Sequence, residues 1–240
     1  MSTQLSTQTQ SEPATSPLKL CLSFPKQSRE VFYGLGSPQV YPASTELFRQ
    51  SSAAHDAYFI DEGLVKLTYV EEDGQEFIVG LRTSGSILGA ASVILNKAYP
   101  VSAVLLTRCT ILRVPAKTFL GILESDDQFS QHLLREHSRE VYDQVEKLVG
   151  LGCHSARHRF EQLLWNLSSE LQRSNSRMGV RIHLRLPLKQ WEVAQLISVT
   201  PQHLSKLIRQ MQQEGVIRRE NGWLIVFALH KRYHTARNRG

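Results

Sequence analysis

The stretch QWEVAQLISVTPQHLSKLIR, residues 190–209, decides the fold of the C-terminal part of the chain. Two short apolar-periodic segments flank a break at Ser198-Val199, and Ala194 is small where two crossing helices approach closely. Thr200 is a favourable N-cap, and Pro201 stands at the first helical position, where its missing N–H costs nothing. The apolar residues predicted to form a shared core are Val193, Ile197, Val199, Leu204 and Leu207. The stretch therefore predicts a helix-turn-helix.

The second helix of this motif has a polar outer face. If Leu204, Leu207, Ile208 and Met211 face inward, then Gln202, Ser205, Lys206 and Arg209 follow at i, i+3, i+4 and i+7 on the opposite side. Glutamine can pair with adenine, lysine with guanine acceptors, and serine with either. The alternative is an ordinary amphipathic helix with a solvated face. The predicted DNA-binding residues are Thr200, Pro201, Gln202, Ser205, Lys206, Arg209, Arg218 and Arg219.

A hairpin is predicted directly after this helix. Residues 216–226 read VIRRENGWLIV, which is two strand-like runs joined by Asn-Gly, a strong hairpin signal. Arg218 and Arg219 suit phosphate contacts, which position a protein on DNA without reading sequence. The segment is therefore predicted to form a wing beside the second helix.

Charge divides the chain at about residue 152. Residues 153–240 hold 15 Lys and Arg against five Asp and Glu, a net charge of +10, and residues 1–152 hold 13 against 17, a net of −4. A basic segment beside an acidic one indicates that one half meets a polyanion. Uneven surface charge without a partner is the alternative.

Short strands are predicted from about residue 40 to 115. Leu64 to Val70 is one such run, and Asp73-Gly74 marks a hairpin before the next run, Phe77 to Leu81. Glycine-punctuated strands at this spacing indicate an antiparallel barrel, roll or sandwich. Residues 1–28 lack hydrophobic periodicity and are predicted to form a loose tail.

A long helix is predicted to start near Asp127. Six positions with alternating spacings of 4 and 3 form one stripe along it: Leu134, Ser138, Val141, Val145, Leu148 and Gly152. This is the spacing of a coiled-coil seam. The stripe predicts either a dimer helix, with Leu134, Val141, Val145 and Leu148 in the contact, or packing of the helix on its own β domain.

Several function classes are disfavoured. No apolar run reaches the length of a membrane span, and the N-terminus does not resemble a secretory signal, so a cytoplasmic protein is expected. The three cysteines are far apart, and His154 with His158 gives an incomplete metal-ligand set, so no metal or cofactor is predicted. His55 is the only histidine before Ala116, which argues against a cupin-type metal enzyme. The chain is therefore predicted not to be an enzyme.

With these residues identified, the chain resembles the CRP/FNR superfamily of bacterial transcription regulators. Residues 41–79, YPASTELFRQSSAAHDAYFIDEGLVKLTYVEEDGQEFIV, resemble the opening β-roll of that family, and residues 199–217, VTPQHLSKLIRQMQQEGVI, resemble its recognition helix and wing entry. The resemblance covers about residues 28–228. It implies an α+β fold with an N-terminal antiparallel β-roll (a cupin-like jelly roll), a long dimerisation helix and a C-terminal winged helix-turn-helix.

The expected boundaries are a flexible tail over 1–28, the roll over 29–125, the dimerisation helix over 126–152, the winged helix-turn-helix over 153–228, and a basic tail over 229–240. The resemblance further implies a homodimer on an inverted-repeat DNA site, and RNA polymerase as a partner if the protein is an activator. A roll that serves signalling or protein interaction without DNA is the alternative, against which the +10 C-terminal half counts.

The chain departs from the family pattern in two places, the base-reading residues and the effector pocket. The family's base-reading Glu, Ser and Arg match Gln202, Ser205 and Lys206, so the usual half-site is not expected. The family's cyclic-AMP-binding Glu and Arg-Ser pair fall at Ala90 and at Tyr99-Pro100. The effector pocket predicted to be degenerate comprises Gly89, Ala90, Ala91, Tyr99 and Pro100. Because a buried phosphate without a cation is poorly compensated, the effector is expected not to be cyclic AMP bound in the usual mode.

Overall fold

A computed structural model describes residues 32–171, 182–184, 187–220 and 223–227. The expected tails over 1–28 and 229–240 lie outside the described residues. In the N-terminal part, eight strands and one short helix follow in order: β1 Gln39–Tyr41, β2 Glu46–Phe48, β3 Asp56–Glu62, β4 Leu64–Val70, β5 Glu76–Thr83, β6 Ile87–Leu88, α1 Ala90–Ile94, β7 Ser102–Leu105 and β8 Cys109–Pro115.

These strands form two antiparallel sheets of four strands, in the orders β1-β8-β3-β6 and β2-β7-β4-β5. The antiparallel β domain predicted over residues 40–115 is confirmed. Between the sheets lies a core that includes Phe48, Tyr58, Ile60, Tyr99 and Cys109. Alternation places such side chains inward, because successive strand residues point to opposite faces of a sheet.

Two helices follow the roll, α2 over Ala116–Ser125 and α3 over Asp127–Cys153. The Asp126 side chain caps α3 by accepting a hydrogen bond from the Phe129 N–H at 2.9 Å. Phe129 and Leu133 are buried against the roll, where they join a cluster that contains the stacked rings of Phe32 and Phe59, 4.7 Å apart. The first turns of the long helix therefore pack on their own domain, whereas the apolar residues of the predicted stripe, from Leu134 to Leu148, are exposed.

The C-terminal part consists of α4 Ala156–Leu171, β9 Ile182–Leu184, α5 Gln190–Leu196, α6 Pro201–Gln213, β10 Ile217–Glu220 and β11 Trp223–Val226. The three strands form one antiparallel sheet in the order β10-β11-β9. Both the helix-turn-helix and the wing are thus confirmed. The predicted turn Asn221-Gly222 lies outside the described residues.

The break between α5 and α6 has the geometry expected of a tight turn. Ser198 has φ of 54°, a left-handed conformation that glycine adopts more readily than serine. Its N–H donates to the Gln195 carbonyl at 2.9 Å, and the Val199 N–H donates to the Ala194 carbonyl at 3.0 Å. These bonds end α5 and place Thr200 at the start of α6. No helix among the described residues is long and apolar enough to cross a membrane.

Candidate DNA-binding surface

The helix α6 is held by its cap and by its inner face. The Thr200 hydroxyl accepts a hydrogen bond from the His203 N–H at 3.2 Å, and Pro201 is the first helical residue. Leu204, Leu207, Ile208 and Met211 are all buried in the C-terminal core. Burial of one complete stripe fixes the rotation of the helix about its axis and therefore decides which residues reach the surface.

On the outer face of α6, Gln202, Lys206 and Arg209 are exposed, and they form no ion pair or side-chain hydrogen bond within the described chain. Ser205 differs from the expectation because it is half-buried. Its hydroxyl donates to the Pro201 carbonyl at 2.8 Å and accepts from the Gln190 side-chain amide at 2.6 Å. The helical periodicity of α6 thus predicts its polar outer face correctly, but it does not predict the contact of Ser205 with α5.

The wing presents cations beside α6. Arg218 and Arg219 are exposed on β10, where Arg218 pairs with Glu220 at 2.9 Å. Glu214, the acidic residue that follows α6, pairs with Arg157 at 2.5 Å. Hydrogen bonds from Arg157 and then from Gln210 lower the pKa of Glu214. The acidic groups near the outer face are therefore already paired with protein cations.

The first helix of the motif begins without a Ser or Thr cap. Lys189 is the N-cap residue, and its N–H donates to the Glu192 carboxylate at 2.6 Å. This contact is one half of a capping box, and it satisfies a donor that would otherwise be unpaired. Glu192 therefore compensates for the lysine at the cap position.

The same Glu192 fixes α5 to the roll. Lys66 on β4 contacts the Glu192 carboxylate at 2.8 Å and that of Glu76 at 3.1 Å. The Gln195 side chain accepts from the Ile78 N–H at 3.0 Å and donates to the Glu76 carbonyl at 2.9 Å. The three contacts between α5 and the roll could not be predicted from sequence, because their partners are more than 110 residues apart and no local pattern connects them. The junction determines where the helix-turn-helix lies relative to the roll.

The residues of the predicted effector pocket come together in part. Gly89 precedes α1 with φ of 76°, and a Cβ built there would lie 2.8 Å from the ring of Tyr99. Tyr99 is 3 % exposed, stacks on Phe48 at 4.0 Å and donates to the Asp56 carbonyl at 2.6 Å. Burial raises the pKa of Tyr99, so its phenol stays neutral. Ala90 is buried nearby, whereas Ala91 and Pro100 are exposed.

The predicted dimer residues lie on the exposed face of α3. Leu134 and Leu148 are each 68 % exposed, Val141 is 66 % and Val145 is 53 % exposed. Tyr142 and Val149 widen this apolar stripe, since they are 66 % and 56 % exposed. Soluble proteins rarely leave so continuous a stripe in water, so the helix face is a candidate contact surface.

His154, which follows the end of α3, lies beside His158 in the first turn of α4, with ring centroids 4.5 Å apart. Within the described ranges no group of three or more His, Cys, Asp or Glu side chains is placed to hold a metal ion.

Comparison with protein families gives two matches that follow the domain order of the structure. Residues 38–126 match the cyclic nucleotide-binding domain, and residues 158–231 match the Crp-like helix-turn-helix domain. The first match covers the roll with α2, and the second covers the whole helix-turn-helix and wing with all but the first two residues of α4.

Three similar proteins illustrate the match. The transcriptional activator protein anr of Pseudomonas aeruginosa is 25 % identical over 72 % of this chain and 70 % of its own length. The nitrogen fixation regulation protein FixK of Azorhizobium caulinodans is 22 % identical over 78 % of this chain and 74 % of its own. Among solved structures, the c-di-GMP responsive global regulator CLP of Xanthomonas campestris superposes with a TM-score of 0.69 at 18 % identity, covering 85 % of this chain and all of that one.

Proposed function

Because the chain belongs to the CRP/FNR superfamily of DNA-binding transcription regulators, we propose that it acts as a homodimer that reads an inverted-repeat DNA site with α6. As a member of that family it is a regulator and not an enzyme. One observation carries the proposal for α6: its inner stripe is completely buried, and Gln202, Lys206 and Arg209 extend from the opposite face. A helix of this kind fits the major groove, whose base edges such side chains can bond.

The described side chains divide into two roles on DNA. Gln202 and Lys206 lie in the first two turns of α6, the part of a recognition helix that reaches base edges. Arg209 lies further along the helix, and Arg218 and Arg219 lie on the wing, where they suit phosphate contacts. Ser205 acts differently from the family pattern, because its hydroxyl joins α6 to Gln190 of α5. Thr200 and Pro201 start the helix and set its angle of entry.

The dimer is proposed to form along α3. The helix has 27 residues and so is about 40 Å long, and the exposed stripe runs along most of it. Two copies related by a two-fold axis would bury Leu134, Val141, Val145 and Leu148 in one self-complementary contact. A two-fold protein then places two copies of α6 on two half-sites of opposite orientation.

The roll is proposed to respond to an effector other than cyclic AMP in the usual mode. Tyr99 occupies the space beside Gly89, and its hydroxyl is already bonded to the Asp56 backbone. Neither Ala90 nor Pro100 offers a charge or donor to a ribose or phosphate. A buried phosphate there would lack the cation that it needs.

RNA polymerase is a proposed partner. The support is the similarity to a protein named as a transcriptional activator, together with the DNA-binding surface described above.

The test is selection of bound duplexes from a random DNA pool by the purified protein, with and without cyclic AMP. An enriched inverted repeat, equal in both arms, is the expected result. A palindrome that appears only with cyclic AMP would refute the degenerate pocket, and the absence of any enriched site in both arms would count against the DNA-reading role of α6.

The residue assignment is tested with variants on the selected site. Lys206→Ala should weaken binding about tenfold and relax the base preference at one position, since a good base contact contributes roughly 1–3 kcal/mol. Arg209→Ala should weaken binding to all sequences alike. Lys97→Ala, an exposed lysine on the roll, is the matched control and should bind as the parent protein does.

A further inference from the structure

A small cavity of about 50 Å³ lies where the long helix meets the helix-turn-helix domain. The end of α3 contributes Lys147, Gly150 and Leu151 to its wall, α4 contributes Arg159 and Gln162, and Ile197 closes it after α5. The remaining lining residues are Leu163, Asn166 and Leu196, so no carboxylate faces the cavity. It is separate from the roll core, from the outer face of α6 and from the exposed stripe of α3.

The two cations of the wall are not neutralised by acidic residues of the described chain. Lys147 makes one hydrogen bond, to the Val79 carbonyl at 3.3 Å. Arg159 donates only to backbone carbonyls, those of Ile197 at 2.9 Å, His154 at 2.5 Å and Leu151 at 3.5 Å. Burial and then the charge of Arg82 lower the pKa of Lys147, which means that an anion beside it would relieve an unfavourable environment.

A third polar residue, Gln162, also lines the cavity. It is 5 % exposed as a residue and makes no hydrogen bond with any described residue. Its amide is not among the fully buried unpartnered groups, so it is open to a water molecule or a ligand. Gln162 follows Arg159 by about one turn of α4, so the two side chains lie on the same face of that helix.

The volume limits what can enter. A water molecule needs about 10–15 Å³ on this measure, so the cavity accommodates about three to five atoms of that size. The cavity is half open to solvent, so a nucleotide could place only a small part of itself inside it. The mostly apolar wall also disfavours multiply charged, strongly hydrated ions, because their water shell would not be replaced.

We propose that this cavity binds a small planar monoanion, either nitrate or a short carboxylate such as acetate. Both have flat groups of acceptor oxygens that can take hydrogen bonds from the Gln162 amide and charge-assisted bonds from Lys147 and Arg159. Since these three residues lie on the end of α3 and the start of α4, the bound anion joins the long helix to the DNA-binding domain. The site is independent of the DNA contacts proposed above.

The test measures anion binding directly. The purified full chain is titrated with sodium nitrate or sodium acetate by calorimetry, and its melting temperature is recorded in parallel. Sodium 2-(N-morpholino)ethanesulfonate, which is bulky and carries no planar carboxylate, keeps the ionic strength constant. Saturable heat and a rise in melting temperature are expected with at least one of the two anions. The anion that gives both responses is the ligand of the cavity. No saturable response to either anion overturns the proposal.

Five variants, two of them controls, locate the site. Gln162→Leu and Lys147→Met should each weaken binding roughly tenfold or more, because each removes a donor to a charged ligand. The matched controls, Gln131→Leu on the exposed side of α3 and Lys117→Met on α2, should bind the anion as the parent chain does. Melting curves in the morpholino-ethanesulfonate salt alone establish that each variant is folded, and Gln162→Glu provides a second variant of nearly the same shape that should abolish binding. Equal binding by parent, Gln162 and Lys147 variants would refute this cavity as the site.

Discussion

Replacing Lys66 by Met removes the cation from the junction between the roll and the helix-turn-helix, and it leaves the Glu192 carboxylate without its counter-charge. Glu192 is 5 % exposed at its side chain and Lys66 is 14 % exposed, so water screens the pair poorly. Burial by itself lowers the pKa of Lys66, but the hydrogen bonds that Lys66 donates to Glu192 and Glu76 more than offset that effect, and the net pKa is raised. The pair therefore favours the charged forms.

The expected loss follows from these contacts. Removing one partner of a buried ion pair typically costs about 3–5 kcal/mol. Glu192 keeps one hydrogen bond, from the Lys189 N–H, and the second partner of Lys66, Glu76, is near the surface. We therefore expect Lys66→Met to lower the free energy of unfolding by about 2–3 kcal/mol. Glu192→Gln in the Lys66→Met background should restore about 1–2 kcal/mol, because it removes the uncompensated charge and keeps the capping oxygen.

Urea unfolding at a fixed protein concentration measures this loss. The three tryptophans, Trp165, Trp191 and Trp223, all follow α3 in sequence, so their fluorescence reports on the C-terminal part. Far-ultraviolet circular dichroism follows the whole chain, including the roll. The fluorescence transition of Lys66→Met should move to lower urea than the dichroism transition. Lys97→Met is the control and should change stability by less than about 0.5 kcal/mol. A loss for Lys66→Met as small as that of the control, or no recovery with Glu192→Gln, would refute the reasoning.

Four further predictions concern the dimer, the roll, acid stability and DNA affinity. In sedimentation analysis, Val141→Glu should be a monomer and Val141→Leu should remain a dimer. If both variants are dimers, α3 does not form the dimer interface. Gly89→Ala should cost about 2–3 kcal/mol in thermal unfolding, because φ is positive and Tyr99 is in the way, and a loss below about 1 kcal/mol would mean that the ring moves aside. The pKa of Glu140 is lowered, first by a hydrogen bond from His137 and also by Arg82. Its contribution to the free energy of unfolding is therefore complete above its ordinary pKa of 4.5 and is lost as the pH falls through the lower folded value. Glu140→Gln should flatten that part of the curve of stability against pH, and identical curves for the two proteins would contradict the assignment. The logarithm of DNA affinity should fall linearly with that of salt, and Arg218→Ala should reduce the slope by about one; an unchanged slope would remove Arg218 from the phosphate contacts.

The helix-turn-helix could be predicted from sequence because its signals are local. Thr200 caps the helix that it precedes, Pro201 fits only the first turn, and the inward stripe of Leu204 and Leu207 repeats within one helix. Ser198 occupies the predicted turn with a positive φ. β4 was likewise predictable, since its strand run is bounded by turn residues on both sides.

Contacts between distant segments could not be predicted in this way. The helical period places Ser205 on the outer face, but only the fold brings Gln190 close enough to bond its hydroxyl. The stripe of the long helix could not distinguish a dimer from packing on the roll. In the structure Phe129 and Leu133, which lie outside the stripe, pack on the roll, and the stripe itself from Leu134 onward stays exposed.

The contact of Gln195 with β5 has a consequence for aggregation. β5 is the outermost strand of its sheet, and the Gln195 amide occupies the Ile78 N–H and the Glu76 carbonyl in the way that a neighbouring strand would. Any movement that separates the helix-turn-helix from the roll would expose the open edge of β5 beside the exposed side chains of Phe77 and Val79. An open strand edge with apolar neighbours recruits strands from other molecules. The glutamine thus also protects the regulator from self-association, and the released form should be short-lived in solution unless something else covers the strand.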